Sequence, residues 1–277
     1  IDVYANPTVD LKANGQDGLQ AAVGQSVNLT WTSTNASSCT ASGSWVGSKT
    51  LSNSTGEPTG ALSVGAYTYT LTCGNSAASV SDSVIVTVDT HPTANLKVTY
   101  NSVEQDSSSI NVDWNSSVTL TAYASRDITA GIYYIYLYRG DTYLTRCVTG
   151  ISCTWTETVT GSNVYHGLIG TDSTHLPVEI QPPQKDSIQV WIKPQILYLS
   201  SDQGVTSAMP YGGTANISWN TRAATSGCTS ISSPTADIPN GWAGSPGTSG
   251  NRSYTMYNDT TLTLTCTGDN NLTTSQK

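Results

Sequence analysis

The sequence contains no phenylalanine, so any hydrophobic core must be assembled from Val, Ile, Leu, Tyr and the seven tryptophans. Charge is scarce as well. Only 11% of residues are Asp, Glu, Lys or Arg, where an ordinary soluble domain carries about 25%. Ser, Thr, Asn and Gly take their place, and a polar but uncharged surface keeps little of its stability in interactions that salt screens. The charge that remains is acidic, −8 overall, which argues against a nucleic-acid partner, since that would need a basic face. Histidine is limited to His91, His166 and His175. None is spaced with acids and a nucleophile as a catalytic triad would require, and surface or interface positions are expected for all of them. Acidic residues are scattered singly, so paired-carboxylate hydrolysis has no candidate motif. No segment reaches the roughly 18 consecutive apolar residues that span a bilayer as a helix. Neither an enzyme nor a cofactor is expected.

The six cysteines fall in three local pairs, Cys39 with Cys73, Cys147 with Cys153, and Cys228 with Cys266. Even numbers partitioned in this way read as disulfides and an oxidising compartment. A zinc site would need C-x₂-C spacing or nearby histidines, and neither is present. The chain opens on Ile1 rather than Met, as expected if a signal peptide is removed or lies outside it.

At 277 residues the chain suits two or three domains of about 90–140 residues, and internal repeats decide for three. Pro7-Thr8-Val9-Asp10-Leu11-Lys12 recurs as Pro92-Thr93-Ala94-Asn95-Leu96-Lys97 and, more weakly, as Pro194-Gln195-Ile196-Leu197-Tyr198-Leu199. A second marker reads Val27-Asn28-Leu29-Thr30-Trp31, Val118-Thr119-Leu120-Thr121-Ala122 and Ala215-Asn216-Ile217-Ser218-Trp219. A third precedes a cysteine, Tyr69-Thr70-Leu71-Thr72-Cys73 and Leu262-Thr263-Leu264-Thr265-Cys266. Each alternates apolar with hydroxyl-bearing residues, which puts one strand face in a core and the other in water. Turn residues separate the segments every 8–12 residues, the spacing of an antiparallel sandwich. The fold class is all-β, with a linear extension over residues 1–6 and domains over 7–90, 91–193 and 194–277.

These segments resemble the immunoglobulin-like repeats of prokaryotic surface and secreted proteins. The resemblance implies three tandem immunoglobulin-like sandwiches and a structural or adhesive role at the cell surface. One departure stands out. Antibody domains run Cys, Trp, Cys, whereas here Trp31 precedes Cys39 and Trp219 precedes Cys228. The bridges of domains one and three should therefore join neighbouring strands of one sheet. Cys147 and Cys153, six apart, read as a disulfide-closed hairpin.

What precedes each proline marker carries the sharpest expectation. Val84-Ile85-Val86-Thr87-Val88 and Ile188-Gln189-Val190-Trp191-Ile192 read as the last strand, G, of the domain just completed. Ile1-Asp2-Val3-Tyr4-Ala5 is a strand of the same kind with no domain before it, while nothing like it follows Cys266. The last domain is thus expected to lack its own G strand and to receive Ile1, Asp2, Val3, Tyr4 and Ala5 of another copy. Such strand addition resembles donor-strand pilins and implies a homopolymeric extracellular filament. Two other readings stay open, a window cut from a longer tandem array and a fold-back of Ile1–Ala5 onto domain one. A stalk or a carbohydrate-binding adhesin, with surface glycans or other cells as partners, is the alternative function.

Lesser candidates remain. Asparagines in N-x-S/T sequons stand at 28, 35, 53, 115, 216, 251, 258 and 271, so Asn28, Asn35, Asn53, Asn115, Asn216, Asn251, Asn258 and Asn271 are candidate glycosylation acceptors. Asp89, Asp172 and Asp186 lie near domain junctions, where Ca²⁺ could bind, but no D-x-D-x-D-G loop supports a metal site. Lys12 and Lys97 match in position as lysines of isopeptide-forming pilins do, but without a matching buried Asn they read as solvated. Tyr133-Tyr134-Ile135-Tyr136-Leu137-Tyr138 places tyrosines on both faces of one strand, and the face away from the core is a candidate intersubunit or sugar-binding surface.

Overall fold

The computed structural model describes residues 5–128, 132–171, 177, 179–204, 209–233 and 244–277. The chain forms three β-sandwiches in sequence. The first contains β1 (Thr8–Ala13), β2 (Gly18–Ala22), β3 (Asn28–Thr34), β4 (Ser38–Gly43), β5 (Gly47–Lys49), β6 (Asn53–Pro58), β7 (Gly65–Gly74) and β8 (Ser79–Asp89). The second contains β9 (Ala94–Tyr100), β10 (Val103–Gln105), β11 (Ser109–Val112), β12 (Ser116–Ile128), β13 (Tyr134–Arg139), β14 (Thr142–Cys147), β15 (Gly150–Val159), β16 (Asn163–Gly170) and β17 (Lys185–Ile192). The third contains β18 (Gln195–Ser201), β19 (Gly213–Arg222), β20 (Cys228–Ser233), β21 (Ser249–Met256), β22 (Thr261–Thr267) and β23 (Thr273–Gln276).

Sheet order is β1-β3-β6 against β2-β8-β7-β4-β5 in the first sandwich, and β10-β9-β12-β15 against β11-β17-β16-β13-β14 in the second. In the third it is β18-β19-β21 against β20-β22-β23. The alternation read from sequence sets the inward faces. Leu29 and Trp31 on β3 are buried with Leu71 on β7 and Val84, Val86 and Val88 on β8. Trp31 and Trp219 are both core residues, and each indole N–H finds a carbonyl, on Thr50 at 2.9 Å and on Gly247 at 3.3 Å. A side chain at position 250 would come within 2.6 Å of the Trp219 ring, so only glycine lets β21 pass so close.

All three disulfides join the expected partners. Cys39 lies directly opposite Cys73 on β4 and β7, and Cys228 opposite Cys266 on β20 and β22, so these bridges sit within one sheet, as the sequence order implied. In the second sandwich that place is taken by Ile135 opposite Ile169. Its own bridge departs from expectation. Cys147 ends β14 and Cys153 lies on β15, which belong to opposite sheets. The Cys147–Cys153 bond thus pins two sheets together across their edge instead of closing a hairpin.

A second correction concerns the last sandwich. Residues 273–276 are not a loop but the strand β23, antiparallel to β22, with Cys266 opposite Thr274 and Leu264 opposite Gln276. This is the register of β8 on β7, where Cys73 faces Val80 and Leu71 faces Asp82. The third sandwich therefore owns the polar first half of its G strand.

Candidate functional site

In the first two sandwiches the G strand is held on both sides. β8 pairs antiparallel with β7 and parallel with β2, and β17 pairs antiparallel with β16 and parallel with β11. Its second half drives Val84, Val86 and Val88, or Ile188, Val190 and Ile192, between the sheets, and all six are buried. In the third sandwich the register runs out at Leu264 opposite Gln276. Beyond it lies a groove of about 780 Å³, lined by Leu199, Ile217, Met256 and Leu262 and reached by Lys277. Leu199 faces Trp219 as Leu11 faces Trp31. Leu11 is buried but Leu199 is only half-buried, because nothing among the described residues covers it from the G side. Continuing the β22–β23 register by two places sets the next inward residue opposite Leu262, the position Val84 takes opposite Tyr69.

Of the expected donor strand, Ile1, Asp2, Val3 and Tyr4 lie outside the described residues. Ala5 is exposed at the top of the first sandwich, where its carbonyl accepts the Asn75 amide at 2.9 Å. The neighbouring Asn6 carbonyl accepts the Asn35 amide at 3.1 Å.

The structure overturns the reading of the tyrosine-rich strand. Tyr133 joins the core with Ile135 and Leu137. The opposite face is not open. Tyr136 and Tyr138 are 1% and 3% exposed and form a satellite cluster with Leu168 and Ile180, flanked by Tyr134. Ile180 reaches the cluster from the connection between β16 and β17, so a long-range cover hides what the strand alone presents as a surface. Arg146 stacks over Tyr134 at 5.1 Å.

The junctional aspartates have structural partners. Asp186 accepts the backbone N–H of Leu96 at 2.8 Å and of Ser187 at 2.8 Å. Asp82 does the same for Leu11 at 2.7 Å and Ser83 at 2.8 Å. Both lie on the G strand and clamp the opening strand of the other sheet, a repeated device visible only once the sheets are stacked. Asp89 pairs with Arg126 at 3.2 Å, and Asp172 lies outside the described residues. Among the described residues no cluster of His, Cys, Asp and Glu is arranged to hold a metal.

His91 lies edge-on to Tyr133 with ring centroids 4.7 Å apart. His166 shares a hydrogen bond with the Ser187 hydroxyl at 2.6 Å, and burial, then the Lys185 charge, lowers its pKa. His175 is outside the described residues. Lys12 pairs with Asp17 at 2.6 Å and Asp10 at 3.1 Å, and Lys97 with Glu104 at 3.4 Å. Both are surface ion pairs.

Four sequon side chains are engaged. Asn28 donates to the Thr55 carbonyl at 2.9 Å, Asn35 to Asn6, Asn216 to the Asp202 carboxylate at 2.7 Å, and Asn53 accepts the Gly56 N–H at 2.8 Å. Asn115, Asn251, Asn258 and Asn271 are exposed.

No protein-family model matches the chain, and no curated protein matches it by sequence. Solved structures do. The three-domain titin segment I67–I69, in an E-to-A variant, is 12% identical with a TM-score of 0.51, over 99% of this chain and 97% of that one. The ICAM-5 D1–D4 ectodomain fragment is 11% identical with a TM-score of 0.39, over 98% of this chain and 75% of that one. Fibronectin(III)-like modules of Clostridium thermocellum CbhA reach 14% identity and 0.38 over 66% of this chain and 94% of that one. At such identity the titin likeness is one of fold, three immunoglobulin-like sandwiches in tandem.

Proposed function

We propose that this chain is a structural subunit of an extracellular filament, joined head to tail by a strand that enters the groove of the third sandwich. The observation that carries the reading is the groove itself, in the place that Val84, Val86 and Val88 fill in the first sandwich. The occupant is residues Ile1–Ala5 of a second copy. Ile1-x-Val3-x-Ala5-x-Pro7 repeats the pattern of Ile188-x-Val190-x-Ile192-x-Pro194, whose three apolar side chains are the core of β17. Inserted, it would extend the ladder that β23 begins on β22 and bury apolar side chains at about 1.5–3 kcal/mol for each larger one. The three disulfides support an oxidising, extracellular setting. The role is mechanical rather than enzymatic.

The test is assembly. Val3→Asp would place a charge between the sheets and should abolish polymerisation while leaving the first two sandwiches folded. A synthetic peptide spanning residues 1–7 should raise the melting temperature of the Val3→Asp chain. Filaments that persist in that variant would overturn the reading. A natural assembly that runs on denaturing gels as one very large polypeptide would favour the stalk of a longer tandem array, its groove closed by its own continuation.

A further inference from the structure

The joints between sandwiches follow one plan, and the third sandwich carries the same joint surface. At the first joint Ala22 ends β2 and Val23 follows it, five and four positions before Val27. Ala22 is buried in the core cluster of the second sandwich with Ile128 and Tyr133. At the second joint the residue four before Val118 is Trp114. It packs beneath the Arg222 guanidinium at 4.9 Å, and Ala223 beside it packs on the second sandwich's core. Arg222 ends β19, so the turn after the third sandwich's tryptophan strand seats on the aromatic ring of the domain before it.

In the third sandwich the residue four before Ala215 is Tyr211. It is 84% exposed and lies edge-on to Tyr257 with centroids 5.2 Å apart. Both rings stand at the groove's mouth. A tyrosine at that exposure offers contact area and a polar tip, the composition that interfaces favour.

The counterpart surface belongs to the first sandwich. Its turn after Trp31 is built like the one that seats on Trp114. Asn35 and Ala223 each stand four residues after their tryptophan, and each adopts the left-handed backbone, with φ of 53° and 55°. The two turns therefore share a backbone shape at the same offset from the tryptophan. In the first sandwich this turn is already fastened, since Asn75 donates to the Asn35 carbonyl at 2.7 Å. It is pre-shaped for docking.

We infer that Tyr211 and Tyr257 form the docking surface for the Thr34–Ala36 turn of the first sandwich in a second copy, which makes the joint between copies a repetition of the joints within one. The inference rests on the filament reading above and adds to it a contact separate from the inserted strand. Docking buries Asn35, so this sequon is unglycosylated in the assembled form.

Two measurements separate the docking from the strand insertion. The first is sedimentation of full-length chains carrying Tyr211→Asp with Tyr257→Asp. Self-association should weaken at least tenfold relative to wild type, because a carboxylate replaces each ring at the joint. The second is binding of the residue 1–7 peptide to full-length Val3→Asp chains, with and without the two tyrosine substitutions. Peptide should still bind both chains, because the apolar floor of Leu199, Ile217, Met256 and Leu262 is unchanged. Wild-type self-association in the double tyrosine variant overturns the docking inference while leaving the filament reading in place. Peptide that binds neither chain overturns the filament reading and the inference with it. A glycan on Asn35 in native assemblies would also contradict the docking.

Discussion

Asp82 and Asp186 show how single side chains hold these sandwiches together. Each carboxylate takes two backbone N–H groups, one from the opening strand of the facing sheet. Removing the acceptor strands partly buried donors, which costs about 1–3 kcal/mol each. Asp186→Ala should therefore destabilise the second sandwich by a few kcal/mol in denaturant titrations, and an unchanged midpoint would show that water replaces the clamp without penalty. His166 gives the same domain a pH dependence. Its pKa is depressed, first by burial and then by Lys185, with Asp141 opposing. Above the ordinary imidazole value of about 6.5 both folded and unfolded chains are neutral there, and the residue contributes nothing to the dependence. Below it the unfolded chain takes up a proton that the folded one refuses. Stability should fall as pH drops from about 6.5 toward the lower folded-state value. His166→Gln should flatten that slope in thermal melts between pH 7 and pH 5, and an identical slope would place the dependence on other groups.

At the scale of elements, alternation made the strands legible and its absence hid others. The repeats around Trp31, Ala122 and Trp219 alternate cleanly, and the structure places them where the pattern implies. Thr273-Thr274-Ser275-Gln276 is polar throughout, so β23 offers no periodicity, and only its pairing with β22 reveals it. The cover over Tyr136 is equally hidden, because Ile180, which supplies it, lies more than forty positions away. The aspartate clamps need two stacked sheets to exist at all. The Cys147–Cys153 bridge differs from expectation because six-residue spacing suits a hairpin as well as a crossing from one sheet to the other. Its position does not change the loop it closes. By the chain-entropy account, so short a loop gains about 2 kcal/mol, against nearer 4 kcal/mol for the separation of Cys39 and Cys73. Replacing both cysteines by serine should therefore cost the first sandwich more than the second when each is unfolded by guanidinium. The reverse order would mean that pinning the sheets at Cys147 matters more than loop entropy.

Across the whole molecule, the joint between the first and second sandwiches is built to resist bending. The Arg126 guanidinium donates to Asp89 at 3.2 Å and to the Thr90 carbonyl at 2.9 Å. It also lies 5.6 Å from the Tyr133 ring, which His91 meets from the linker. One side chain thus ties the end of β8, the linker and the second sandwich together. Inter-domain surfaces of modest area otherwise permit relative motion. The partly exposed ion pair is worth little on its own, but loss of the whole guanidinium removes both hydrogen bonds and the stacking together. Arg126→Ala should leave the melting of each sandwich nearly unchanged, because the arginine is partly exposed and no core side chain is truncated. It should broaden the distribution of distances between spin labels placed on β5 of the first sandwich and on β14 of the second. A distribution as narrow as that of the parent would show that Ala22, buried against the second sandwich, holds the joint without help, and that the arginine serves only the surface.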